Sequence, residues 1–143
     1  METSIEGLHS FLKDYFKLDT QEVKTCSPLT LAYIGDAVYE LIIRTIIVDQ
    51  GNAPVNKLHK KSSSLVNAKA QAQIAVRLSG HLTDEEIAVY KRGRNAKSHT
   101  AAKNASITDY RLATGFEALV GYLYLNDQMK RLVELIKWGL EDD

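Results

Sequence analysis

One cysteine, two prolines, one tryptophan and no uninterrupted apolar run of membrane length are what this 143-residue chain offers, and each scarcity excludes something. A single thiol, Cys26, rules out an internal disulfide and leaves no need for an oxidising compartment. Cys26 itself reads as an inert packed thiol. The most apolar stretch, residues 29–48, is interrupted by Asp36, Glu40 and Arg44, which disqualifies it as a membrane span. The opening METSIEGLHSFLKDYF carries acids and a glycine where a secretory signal would carry a basic segment and an apolar run. A soluble, cytoplasmic protein of one domain, with no membrane partner, is the expectation. The chain also lacks GxSxG, Gly-Lys-Ser/Thr and GxGxxG, so acyl transfer, NTP hydrolysis and dinucleotide binding lose their usual markers. His9, His59, His81 and His99 show neither HExxH nor zinc-ligand spacing.

The net charge of zero, 18 basic against 18 acidic side chains, conceals an uneven distribution. Residues 50–108 hold ten bases and three acids, a net of +7, and the flanks carry the compensating −7. That asymmetry describes a polyanion-facing middle on an otherwise acidic body.

The pattern is helical throughout, with no alternating strand signal, and predicts an all-α fold. Ser27-Pro28 is a strong helix start, and LTLAYIGDAVYELIIRTIIVDQG stays apolar around most of its circumference before Gly51, as a central helix would. Asn52-Ala53-Pro54 opens a second helical stretch lasting to Gly80, with a break expected at Ser62–Ser64. Thr83-Asp84-Glu85-Glu86 fits a capping box ahead of a short helix reaching about Lys91. RGRNAKSHTAAKNAS reads as an exposed basic loop, helix resumes near Thr108, and MKRLVELIKWGLEDD closes the chain as an amphipathic helix.

Two acidic positions stand out. Asp36 and Glu40 are four apart on the central helix and share a face, which Arg44 extends. This is either a solvated stripe with a Glu40–Arg44 ion pair or one side of a metal site. Glu117 is the sole charge between Arg111 and Asp127 and is flanked by the small residues Ala113, Gly115, Ala118 and Gly121. A carboxylate there needs solvent, a hydrogen-bonding partner or a cation. An Asp and a Glu on two buried helices suit a hard divalent cation, with water completing its shell; a core Glu satisfied by a Tyr or backbone donor is the other reading. HKKSS and KRGRNAKSHT mix bases with small hydrogen-bond donors and lack interleaved aromatic rings, a composition for gripping duplex phosphates rather than stacking single strands. Lys57, Lys60, Lys61, Arg92, Arg94, Asn95, Lys97 and Ser98 are the candidate phosphate contacts. A solvated basic face without a ligand is the alternative.

LAYIGDAVYEL resembles the signature of the ribonuclease III catalytic domain, and FEALVGYLYL resembles that family's second acidic motif. AYIGDAVYE, LHKKSS, KRGRNAKS and FEALVGYL, in this order, are similar to the mini-ribonuclease III subgroup, which has no double-stranded RNA-binding domain. The resemblance implies a ribonuclease III-like helical catalytic domain spanning 1–143. It implies a homodimer that cuts double-stranded RNA with Mg2+, leaves 5′-phosphate and 3′-hydroxyl ends, and matures the 23S ribosomal RNA precursor in the setting of the assembling ribosome. Asp36 and Glu117 match its catalytic, metal-binding carboxylates. Two further acidic positions of the family are Ala32 and Thr114 here, which makes Glu40 a third candidate ligand. A noncatalytic RNA-binding or ribosome-assembly protein of the same fold is the alternative function.

Overall fold

Two helices that are apolar on nearly every face cross at the centre of the molecule, and the others cover them. The computed structural model describes residues 7–19, 22–97 and 106–141. In chain order the helices are α1 (Gly7–Tyr15), α2 (Pro28–Gln50), α3 (Val55–Val66), α4 (Ala68–Leu78), α5 (Asp84–Asn95), α6 (Ile107–Leu125) and α7 (Met129–Leu140), with a 3-10 turn at Val23–Thr25. The described residues contain no strand, in keeping with the all-α expectation. α6 is the hub, packing on α2, α4, α5 and α7. Its buried run includes Phe116, Leu119, Val120 and Leu123, which meet Leu31, Val38, Tyr39 and Ile43 of α2 in one core.

The ends of α2 follow from local chemistry. Ser27 Oγ accepts from Thr30 N at 3.1 Å, Pro28 takes the first helical position, and Gly51 ends the helix at φ 150°, a conformation that side chains disfavour.

Three expectations need correction. The second helical stretch breaks at Asn67, not at Ser62–Ser64. Within α3, Ser62 Oγ donates to His59 O at 3.1 Å and Ser64 Oγ to Lys61 O at 2.7 Å, so these hydroxyls bond back to their own helix. Asn67 ends α3 in extended conformation and caps α4, its Oδ1 accepting from Ala70 N at 2.8 Å. Second, α5 runs to Asn95, so RGRN is helix; buried Gly93 lets that last turn lie on α6, where a methyl would meet Ala118 Cβ at 2.7 Å. The remainder of the expected basic loop, including Ser98, falls outside the described residues. Third, α1 has no counterpart among the helices expected from sequence. It buries no residue, and Ser10 Oγ ties it to Asp127 Oδ2 at 3.1 Å.

The capping box forms as expected and does more than end a helix. Thr83 N donates to Glu86 Oε1 at 2.8 Å and Glu86 N to Thr83 Oγ1 at 3.2 Å. Arg131 of α7 grips the same carboxylate with Nε at 2.9 Å and Nη2 at 2.8 Å, fastening α7 to α5. The Arg131 hydrogen bond is the main reason the Glu86 carboxyl sits below its ordinary pKa, despite burial. Its stabilisation is therefore full above the ordinary carboxylate range and lost as pH falls through the lowered folded value. Arg131→Met should cost about 2 kcal/mol at pH 7, the scale of charge-assisted hydrogen bonds. Urea melts should show that cost shrinking in acid.

Candidate active site

Two glycines bring the predicted carboxylates together. A methyl built on Gly35 would fall 1.8 Å from Glu117 O, and one on Gly121 would fall 2.0 Å from Leu31 O. α2 and α6 therefore touch backbone to backbone, an approach that any larger residue would block. Asp36 follows the first glycine and Glu117 is the residue it touches. One turn along, the Tyr39 and Phe116 rings pack edge to face, 5.1 Å between centroids at 88°, and fix the rotation of one helix on the other.

The Asp36 and Glu117 carboxyls stand within hydrogen-bonding reach of each other. Asp36 is on the exposed side and Glu117 is half-buried. Burial first, then the hydrogen bond and charge of Asp36, push Glu117 up to about 8, against an opposing hydrogen bond from Gln71. Burial and the neighbouring carboxyl both disfavour charge on Glu117, and a cation bound by the two acids would relieve that cost.

That property tests the fit of a metal. Among the described residues no group of three or more His, Cys, Asp or Glu is placed to hold an ion. The donor set is thus two hard carboxylates with mutual repulsion to relieve, which suits a divalent cation that draws its other ligands from water and substrate phosphate. Ala32 and Thr114, each 7% exposed, add no carboxylate, and Thr114 Oγ1 is committed to Tyr110 O at 2.9 Å. Glu40 accepts from Arg44 Nη2 at 2.9 Å in the exposed ion pair that the stripe foretells.

The basic residues fall on two elements. Lys57, Lys60 and Lys61 are exposed along α3, whose last carbonyls contact Tyr39 and Gln71 beside the carboxylates. Arg92, Arg94 and Asn95 form the last turn of α5, around Gly93, which packs on Thr114, Gly115 and Ala118, the stretch of α6 that carries Glu117. Arg92 Nη2 donates to Cys26 O at 3.4 Å, and Arg94 lies 6.0 Å above the Tyr90 ring. Lys97 is exposed just beyond. Gln71 is a site residue absent from the sequence-based candidates, although it is polar on a stripe otherwise formed by Ile74, Ala75 and Leu78.

The ribonuclease III domain model matches residues 29–128. The Mini-ribonuclease 3 of Clostridium tetani is 52% identical over 130 residues, covering 88% of this chain and 86% of its own. That of Enterococcus faecalis is 53% identical over 123 residues, covering 85% and 93%. A crystal structure of a Fusobacterium nucleatum protein superposes with a TM-score of 0.78 at 28% identity, covering 86% of this chain and 100% of that one. With Asp36 and Glu117 both inside the matched region and relatives about half identical over most of both chains, the chain belongs to the ribonuclease III family, among its mini-ribonuclease III members, and is an endoribonuclease.

Proposed function

We propose that this endoribonuclease cuts double-stranded RNA with Mg2+ held by Asp36 and Glu117, acting as a cytoplasmic homodimer on the 23S ribosomal RNA precursor during ribosome assembly. The observation that carries the proposal is the carboxylate pair that the close approach of α2 and α6 brings together, a buried acid beside an exposed one, which a divalent cation would neutralise. When bound, the cation would lower the pKa of a water and polarise the scissile phosphate. The chain's own task is to hold two oxygens at one point and to present phosphates to them. Lys57, Lys60 and Lys61 on α3, and Arg92, Arg94, Asn95 and Lys97 at the end of α5, would grip the duplex by its backbone, with Ser98 the next residue in sequence. One such carboxylate pair among the described residues supports a dimer, since two strands need two sites. Tyr33, 81% exposed, and Leu41, 58% exposed, on the same helix as Asp36 give a second copy apolar surface to cover. Membership of the mini-ribonuclease III group supports the 23S precursor as substrate. No described helix is long and apolar enough to cross a membrane.

Incubation with a labelled duplex RNA should give products with 5′-phosphate and 3′-hydroxyl ends in Mg2+ and none in EDTA. Binding without product in both conditions would overturn the proposal. Lys60→Ala combined with Lys61→Ala should weaken duplex binding and reduce the slope of log affinity against log salt by about one unit for each phosphate no longer gripped. An unchanged slope would remove α3 from the RNA interface.

A further inference from the structure

The break between α3 and α4 leaves the final carbonyls of α3 short of helical partners, and two side chains from the core take them. Tyr39 OH donates to Leu65 O at 2.7 Å, and Gln71 Nε2 donates to Val66 O at 2.8 Å. Gln71 is 2% exposed. The same nitrogen lies 3.4 Å from Glu117 Oε2. A main-chain carbonyl can only accept, so the bond to Val66 decides which end of the amide is nitrogen. The amide therefore meets Glu117 as a donor, and cannot turn over without stranding the Val66 carbonyl. Its own oxygen, Oε1, is buried without a partner. An unpaired buried acceptor is a burden on the fold, and an apolar side chain of equal length would remove it only by leaving the Val66 carbonyl without its donor. One nitrogen thus serves both the end of α3 and Glu117.

We propose that Gln71 is a positioning residue of this nuclease: anchored on the end of α3, it holds Glu117 Oε2 as a hydrogen-bond acceptor and fixes the carboxylate's orientation beside Asp36. The inference rests on the two-carboxylate site proposed above. A donor on one carboxylate oxygen fixes the group's rotation, the role that outer partners of metal ligands play.

Gln71→Met tests this, with MgCl2 alone as the first probe and a labelled duplex RNA as the second. In EDTA the variant loses the bond to Val66 O and the unpaired Oε1 together, changes of opposite sign, and should melt within a few degrees of wild type. The Mg2+ concentration giving half-maximal thermal stabilisation should rise about tenfold, the usual loss when such a partner is removed. At fixed Mg2+, kcat should fall about tenfold with KM for the duplex unchanged. A variant whose Mg2+ titration and kcat match wild type overturns the inference. So does a fold that collapses in both Gln71→Met and Gln71→Leu, because the role is then structural. A wild type that responds to Mg2+ in neither assay overturns the site itself and this inference with it, an outcome read before any variant is made.

Discussion

Replacing Glu117 with Gln should abolish cleavage and at the same time make the cation-free protein more stable. The substitution keeps the shape and removes the charge, so loss of a metal ligand should lower the rate about a thousandfold or more, the several kcal/mol that a bound cation contributes to a phosphoryl transition state. The stability gain has a definite pH dependence. Glu117 rises from an ordinary value of 4.5 to about 8 in the folded chain, chiefly through burial and then through Asp36. Between those values the folded state holds a proton that the unfolded state has released, so wild-type stability in EDTA declines as pH rises through that window. The Glu117→Gln variant escapes this decline. A shift of that size corresponds to about 5 kcal/mol in full. Water on the Asp36 side relaxes part of it, and about 2 kcal/mol in favour of the variant at pH 8.5 is expected. Adding Mg2+ should restore wild type and leave the variant unmoved. Denaturant melts at pH 5.5 and 8.5, with EDTA or Mg2+, check both arms; a variant that tracks wild type at both pH values would mean that the carboxyls do not oppose each other.

Gly35→Ala should be among the most damaging single methyl additions in the molecule. The new Cβ would lie 1.8 Å from Glu117 O and 2.8 Å from Gly121 N, and neither backbone atom can swing aside as a side chain can. Relief requires α2 and α6 to separate by more than an ångström where they anchor the core. Overpacking commonly costs about 1–3 kcal/mol, and a backbone-to-backbone clash belongs at or above the top of that range. Gly139→Ala is the natural comparison: its methyl meets Ile74 Cγ2 at 2.3 Å, the end of a side chain, and should cost less. If Gly35→Ala still folds, it should lose cleavage and Mg2+-induced stabilisation, because separating the helices pulls Asp36 from Glu117. Equal melting temperatures for the two alanine variants would show that α2 and α6 can slide past each other freely.

Most of the architecture is legible in the sequence because it is written in local signals. Ser27-Pro28 and the Thr83–Glu86 capping box mark their helix starts by hydrogen bonds that close within three residues, and the apolar circumference of α2 and α6 requires burial wherever the rest of the chain goes. Where two local signals compete, sequence alone misleads. Three serines suggest a break, yet the hydroxyls of Ser62 and Ser64 are satisfied by carbonyls of the same helix, and Asn67, which can both end and begin a helix, makes the break instead. Gly93 in RGRN suggests a loop, and the tertiary packing against Ala118 overrides it. α1 is missed although Leu8, Phe11, Leu12 and Tyr15 recur at helical spacing over its nine residues; it buries none of them, so the core does not depend on it.

By itself the sequence determined an all-helical chain with a basic middle, and singled out Asp36 and Glu117, 81 positions apart, as acids on apolar helices. Only the tertiary structure decided that they meet, since that depends on Gly35 and Gly121 meeting backbone to backbone, a relation between distant residues that no local pattern encodes. It likewise decided that Glu117 resists ionisation and that Gln71 faces it, because desolvation and donor geometry come into being when three helices close on one point.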